Sequence, residues 1–144
     1  MTAKRPRRQY GALPYRIDGD AVSVLLVTSR DTGRWIIPKG WPEKRTRACD
    51  QAAREAFEEA GVLGRVSRKP FGSYRYRKQM EKRAVHCTVD VYYLEVTKEL
   101  EDWPESHQRC RRWMSPAEAA LAVGDSGLAD LLLSAVYSRP AAKV

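Results

Sequence analysis

The stretch Arg54-Glu55-Ala56-Phe57-Glu58-Glu59-Ala60-Gly61-Val62 decides how this chain is read. At about 100° per residue, its three glutamates fall within roughly a third of a helix circumference. Glu55 and Glu59 form an i,i+4 like-charge pair, which alone costs about a few tenths of a kcal/mol. A divalent cation turns that repulsion into coordination. Hard carboxylate oxygens suit Mg²⁺ or Mn²⁺, which also bind phosphate oxygens. On the same wheel Ala48, Cys49, Ala52, Ala53, Ala56 and Ala60 fill the adjoining arc. The small side chains of that arc let a helix over about 47–60 lie close to whatever it covers. Thr46 is the expected N-cap and Gly61 the C′ residue. Asp50, near the start, suits the macrodipole. An acidic run also describes an ordinary solvated helix face, so the flanking sequence has to decide.

Upstream, Pro38-Lys39-Gly40 closes the apolar run Trp35-Ile36-Ile37. The whole stretch Gly40 to Val62 resembles the Nudix box, G-x5-E-x7-R-E-U-x-E-E-x-G-U with U aliphatic. Gly40, Arg54, Glu55, Glu58, Glu59, Gly61 and Val62 match. Thr46 stands where the box has its first glutamate, and the small Ala56 holds the first aliphatic position. Glu43 lies in the same loop three positions early and is not read as an equivalent. Further segments resemble the diphosphoinositol polyphosphate phosphohydrolase branch of that family. They are Leu100-Glu101-Asp102-Trp103-Pro104-Glu105-Ser106, Arg109, Arg111-Arg112-Trp113, Tyr15-Arg16 ahead of Val24-Leu25-Leu26-Val27, and Arg34-Trp35-Ile36-Ile37-Pro38. The likeness spans roughly residues 9 to 138. The branch commonly has Pro-Gly-Gly-Gly in the box loop. Here the loop reads Pro38-Lys39-Gly40-Trp41-Pro42, which adds a charge and bulk at the mouth.

The resemblance implies a fold, a reaction and a set of residues. The fold is an α/β (α+β) Nudix-type α/β/α sandwich with a mixed, curved sheet. The reaction is metal-dependent hydrolysis of phosphoanhydride bonds in diphosphoinositol polyphosphates or diadenosine polyphosphates. The implied metal ligands are Gly40, through its carbonyl, with Glu55, Glu58 and Glu59, holding Mg²⁺ with Mn²⁺ as the alternative. Glu59 borders the apolar arc and is the first candidate ligand. Glu58 is the weaker ligand and a candidate base. A late-loop glutamate, Glu105 or Glu101, is the other base candidate. Arg54 lies i,i+4 from Glu58 and orients that carboxylate by a fork contact. Candidate phosphate-binding cations are Arg16, Arg34, Lys39, Arg83 and Arg109. Trp41, Tyr74 and Trp103 are candidate platforms for a nucleotide base. The alternatives are a general nucleoside di- or triphosphate pyrophosphatase, an RNA 5′-end pyrophosphohydrolase, and a non-catalytic nucleotide-binding module.

Composition bounds these readings. With 144 residues, 43% of them hydrophobic, there is room for one domain with a real core. No segment approaches the roughly 18 apolar residues of a membrane helix. The basic N-terminus lacks a following apolar signal region. Cys49, Cys87 and Cys110 are odd in number and widely spaced, which suits a reducing cytoplasm. His86 and His107 are too isolated for a zinc site. The formal net charge of +8 attracts polyanions, and a small phosphorylated molecule is favoured over RNA. A disordered basic arm is expected over 1–8, followed by one domain over 9–140. Its expected strands run over 9–16, 21–29, 35–38, within 64–77, over 84–96 and over 111–114. Ser115, Pro116 and Glu118 give a capping-box helix start, and a last helix is expected over about 126–138.

Overall fold

The computed structural model describes residues 7–137. The sheet is built on two long strands, β1 (Arg7–Asp18) and β7 (Ala84–Glu99), which run parallel to each other. All other strand pairings among the described residues are antiparallel. β2 (Ala21–Thr28) pairs β1, and β3 (Trp35–Ile36) and β8 (Arg111–Met114) pair β2. The short β4 (Lys39–Gly40) pairs the first half of β1, with Gly11 opposite Lys39. On β7, β6 (Gly72–Gln79) pairs the first half and β5 (Val62–Val66) the second.

Both faces of this mixed sheet are covered, because its central strands alternate between two apolar sets. Leu13, Val24, Leu26, Val89 and Val91 face α2 (Pro116–Ala122) and α3 (Ser126–Ser134). Ala12, Leu25, Val27, Tyr92 and Leu94 face α1 (Ala48–Glu55) and the π-helical turn Ala56–Ala60 that continues it. Ala52, Ala56 and Ala60 are fully buried in that second layer. The result is the expected α/β/α sandwich in one domain. Among the described residues, no helix is long and apolar enough to cross a membrane.

Several boundaries differ from expectation. Arg7 and Arg8 belong to β1 rather than to an arm, and Arg8 donates to both oxygens of Asp90 at 2.6 Å. Residues 1–6 of the expected arm lie outside the described residues, as does position 138 of the last helix, which ends at Ser134. The segment 64–77 holds parts of two strands, because Ser67 bonds the Lys69 carbonyl and opens a turn before Pro70. Thr46 is not the N-cap. Arg47 holds that position without a side-chain cap, and the Thr46 hydroxyl donates back to the Lys44 carbonyl at 3.4 Å. The Ser115 capping box forms as expected, with Glu118 closing it. Leu121 and Leu133 are exposed apolar side chains, and Val136, expected on the apolar stripe of the last helix, lies beyond its end and is exposed.

Candidate active site

Among the pieces of chain that line one pocket of about 750 Å³, three carry or brace the acidic residues. They are the β3–β4 segment with its following loop, the acidic helix, and the loop 100–110. The first is held against β1, where Ala12 donates to the Pro38 carbonyl at 3.0 Å. The last is pinned to the end of the acidic helix: Glu105 donates its backbone N–H to the Glu58 carbonyl at 3.1 Å. The Trp103 indole donates to the Glu59 carbonyl at 3.1 Å. Gly61 makes that closure possible. Its φ is +67°, and a Cβ there would stand 2.6 Å from Trp103.

The glutamates do not stay together as three. Glu55 and Glu59 are buried and line the pocket. Glu58 does not line it, and takes Arg54 Nε at 3.3 Å on the outer side. Among the described residues, no group of three or more His, Cys, Asp and Glu side chains is gathered as a metal cage. Helix spacing accounts for the split: at about 100° per residue Glu59 lies nearest the buried alanine arc and Glu58, on the other side of Glu55, lies farthest from it.

Glu55 and Glu59 share a hydrogen bond, and both ionise above the ordinary carboxylate range. Burial is the main cause at each. It pushes Glu59 up to about 8, against the opposing charges of Arg109 and Lys39. Gln51, itself buried, donates to Glu55 Oε1 at 2.8 Å. Arg109 sits 3.6 Å from Glu59 Oε2 and donates to Glu105 at 2.9 Å and to the Thr28 carbonyl at 3.0 Å. Lys39 stands over the Tyr76 ring, 5.0 Å from its centroid, and its ammonium is lowered to about 8, chiefly by burial.

A divalent cation fits this floor. Two carboxyls buried side by side need either a proton or a cation between them. Gly40 completes the cradle, since a Cβ there would overlap the Glu55 carboxyl.

The other expected residues divide. Arg34, Lys39 and Arg109 line the pocket, as do Glu105, Trp41 and Tyr74. Arg16 and Arg83 do not line it. Arg16 lies over the Trp113 ring at 4.1 Å and 4.0 Å from Glu99. Arg83 stays in the β6–β7 turn, its carbonyl accepting from Met80. Trp103 is spent on packing, with the Arg111 guanidinium 3.9 Å from its ring centroid. Glu101 is exposed and outside the lining. Arg54 contacts Glu58 as expected but is held more closely by Glu43, at 2.8 Å. Sequence spacing hid Glu43, because the loop turns back with Arg45 at φ +63° and brings that side chain to the helix. Arg30, Arg77, Lys78 and Gln9 also line the pocket and were missed. The period-2 pattern of β6, which puts Lys78 on the face of Tyr74 and Tyr76, is the signal that points to Lys78.

A sandwich whose covering helix carries buried glutamates beside a basic pocket wall is the architecture of the NUDIX domain. Residues 5–133 match that family, and the chain belongs to it. Over 126 residues it is 34% identical to Nudix hydrolase 12, mitochondrial, of Arabidopsis thaliana, covering 76% of this chain and 62% of that protein. It is 33% identical over 115 residues to diphosphoinositol polyphosphate phosphohydrolase 3-beta of Bos taurus, covering 78% of this chain and 66% of that one. The chain therefore spans a little under two thirds of the length of these relatives. The C. elegans Ap4A hydrolase shares the fold, with a TM-score of 0.63 at 18% identity over 90% of this chain and 95% of that chain.

Proposed function

We propose that the protein hydrolyses a phosphoanhydride bond in a diphosphoinositol polyphosphate or a diadenosine polyphosphate. The observation that carries this reading is the buried Glu55–Glu59 pair, set in one pocket with Arg34, Lys39 and Arg109. Glu55, Glu59 and the Gly40 carbonyl would hold a divalent cation, Mg²⁺ or Mn²⁺ by the hardness of the donors. Bound there, that cation supplies neutralisation of the charge that builds on the phosphate oxygens. Arg34 and Lys39 hold the flanking phosphates. Arg109 is committed to Glu59 and Glu105, so it positions those carboxylates and adds charge from behind them.

Glu105 is the general base in this reading. Its Oε1 is taken by Arg109 and lies 3.8 Å from Arg30, while its Oε2 makes no hydrogen bond to a described residue. That oxygen accepts the proton as water attacks phosphorus and the anhydride P–O bond breaks. Glu58 and Arg54 act together with Glu43 as a brace between loop and helix. Trp41, partly exposed in the pocket, offers a ring for a nucleotide base and favours the diadenosine substrates within this class. The likeness to a diphosphoinositol polyphosphate phosphohydrolase supports this substrate class. A cytoplasmic setting goes with the proposal, on the odd, widely spaced cysteines.

The test is incubation with Mg²⁺ and a panel read by ³¹P NMR. The panel holds diadenosine polyphosphates, an inositol pyrophosphate, nucleoside triphosphates and 5′-triphosphate RNA. Turnover concentrated on the first two is expected. No turnover of any of them by protein that binds the cation would overturn the reading.

A further inference from the structure

The cations around the pocket form two sets. Arg109 and Arg30 are committed to acidic partners, Arg109 to Glu59 and Glu105, and Arg30 to Glu105. Arg34, Arg77, Lys39 and Lys78 line the pocket and make no salt bridge with any described residue, and the two lysines stand close enough to feel each other's charge. They flank one ring. The Lys39 ammonium stands over Tyr76. Lys78 follows Tyr76 by two residues on β6, which puts both side chains on one sheet face about 7 Å apart. The two ammonium groups repel each other at the pocket wall, and an anion between them relieves that repulsion.

Behind them lies Gln9, 3% exposed. Its Oε1 accepts the Tyr76 hydroxyl at 2.5 Å. Its Nε2 has no hydrogen-bond partner among the described residues and is not sealed off from solvent. Gln9 lines the pocket, and Nε2 is the end of its amide left for a ligand. Tyr76 thus does two things. Its ring supports Lys39, and its hydroxyl fixes the Gln9 amide with the NH₂ group outward.

We propose that Lys39, Lys78 and the Gln9 amide form an anion subsite, apart from the Glu55–Glu59 pair, that holds a non-reacting phosphate of the substrate. The inference rests on reading the pocket as a phosphoanhydride site, and it adds a requirement. The substrate carries a phosphate beyond the bond that is cut, and that phosphate sets which end of the molecule reaches the carboxylates.

The experiment is calorimetric titration of the full chain with inorganic tripolyphosphate in EDTA. With no divalent cation present, nothing bridges the probe to the carboxylate floor, so binding reports the cationic wall. Lys78→Met should weaken binding about tenfold, Gln9→Leu several-fold, and Lys78→Arg by less than about threefold. Lys98→Met, which removes an exposed lysine outside the pocket, controls for the general basicity of the chain. Melting curves confirm that each variant is folded, and Lys78→Met decides the matter if Gln9→Leu does not fold. Equal Kd for wild type and Lys78→Met, or no binding by the wild type, would overturn the subsite. Lys78-dependent binding without turnover of any substrate would sink the hydrolase reading alone. Turnover with Lys78-independent binding would sink the subsite alone.

Discussion

Replacing Glu59 by Gln should stabilise the metal-free protein while removing its response to divalent cation. Burial raises the Glu59 carboxyl from 4.5 to about 8 in the folded chain. Its folded value therefore lies above its unfolded one, and folding favours the protonated form. The associated stability is complete below about pH 4.5 and is lost as pH rises through about 8. Between pH 5 and pH 7.5, a single group with these two values loses at most roughly 3 kcal/mol of stability. Water reaching the carboxyl through the open pocket brings this to about 1–2 kcal/mol. For a chain of this size, that is a melting shift of about 3–6 °C. Lys39, lowered to about 8, is charged through most of this range, and in the variant it loses the supporting charge of Glu59, which offsets part of the gain at pH 7.5. The assay is thermal melting of wild type and Glu59→Gln in EDTA at pH 5 and pH 7.5. The two should melt together at pH 5, and the variant should melt higher at pH 7.5. Adding Mg²⁺ should reverse the order at pH 7.5, because only the wild type gains binding free energy. A variant that melts below wild type in EDTA at both pH values would refute the argument that Glu59 is held at a cost.

Gly40→Ala places a methyl group into the Glu55 carboxyl. It should cost about 1–3 kcal/mol and abolish the Mg²⁺-induced rise in melting temperature. Gly61→Ala combines a φ of +67° with a Cβ 2.6 Å from Trp103. A loss of about 1–3 kcal/mol is expected in urea unfolding. Glu43→Ala and Arg54→Ala should each cost little in stability. Their double-mutant cycle should give a coupling of about 0.2–1 kcal/mol, since both side chains are half exposed. Ser115→Ala removes the N-cap acceptor of α2 and should lower the urea unfolding free energy by about 1 kcal/mol.

Local chemistry was enough to determine much of this protein. The arc of Ala52, Ala56 and Ala60 forecast which side of the helix is buried, because side-chain size and the 3.6-residue period act over a few residues. The same reasoning placed Glu59 next to that arc, and it is buried. The Gly61 stop and the Ser115 capping box followed from backbone sterics and one hydrogen bond each. The unbroken apolar run Val24-Leu25-Leu26-Val27 suits a strand covered on both faces, and all four side chains are fully buried.

Only the tertiary structure decided the rest, and each case has a reason. Glu58 matched Glu55 and Glu59 by residue type, and only the packing around the helix shows that it meets Arg54 outside the pocket while the other two line it. Glu43 reaches Arg54 because a residue at positive φ folds the loop back, a conformation that arginine at position 45 does not advertise. Arg16 and Arg83 were indistinguishable from Arg34 by residue type. Strand direction sent Arg16 to Trp113 and left Arg83 in a turn. Arg7 joined the sheet because its partner strand lies near residue 87. The pairing of Lys39 with Lys78 and Gln9 across the pocket is likewise non-local. Sequence periodicity shows which face a side chain occupies within its own element. Which element stands opposite is set by the long-range pairing of β1, β6 and β7.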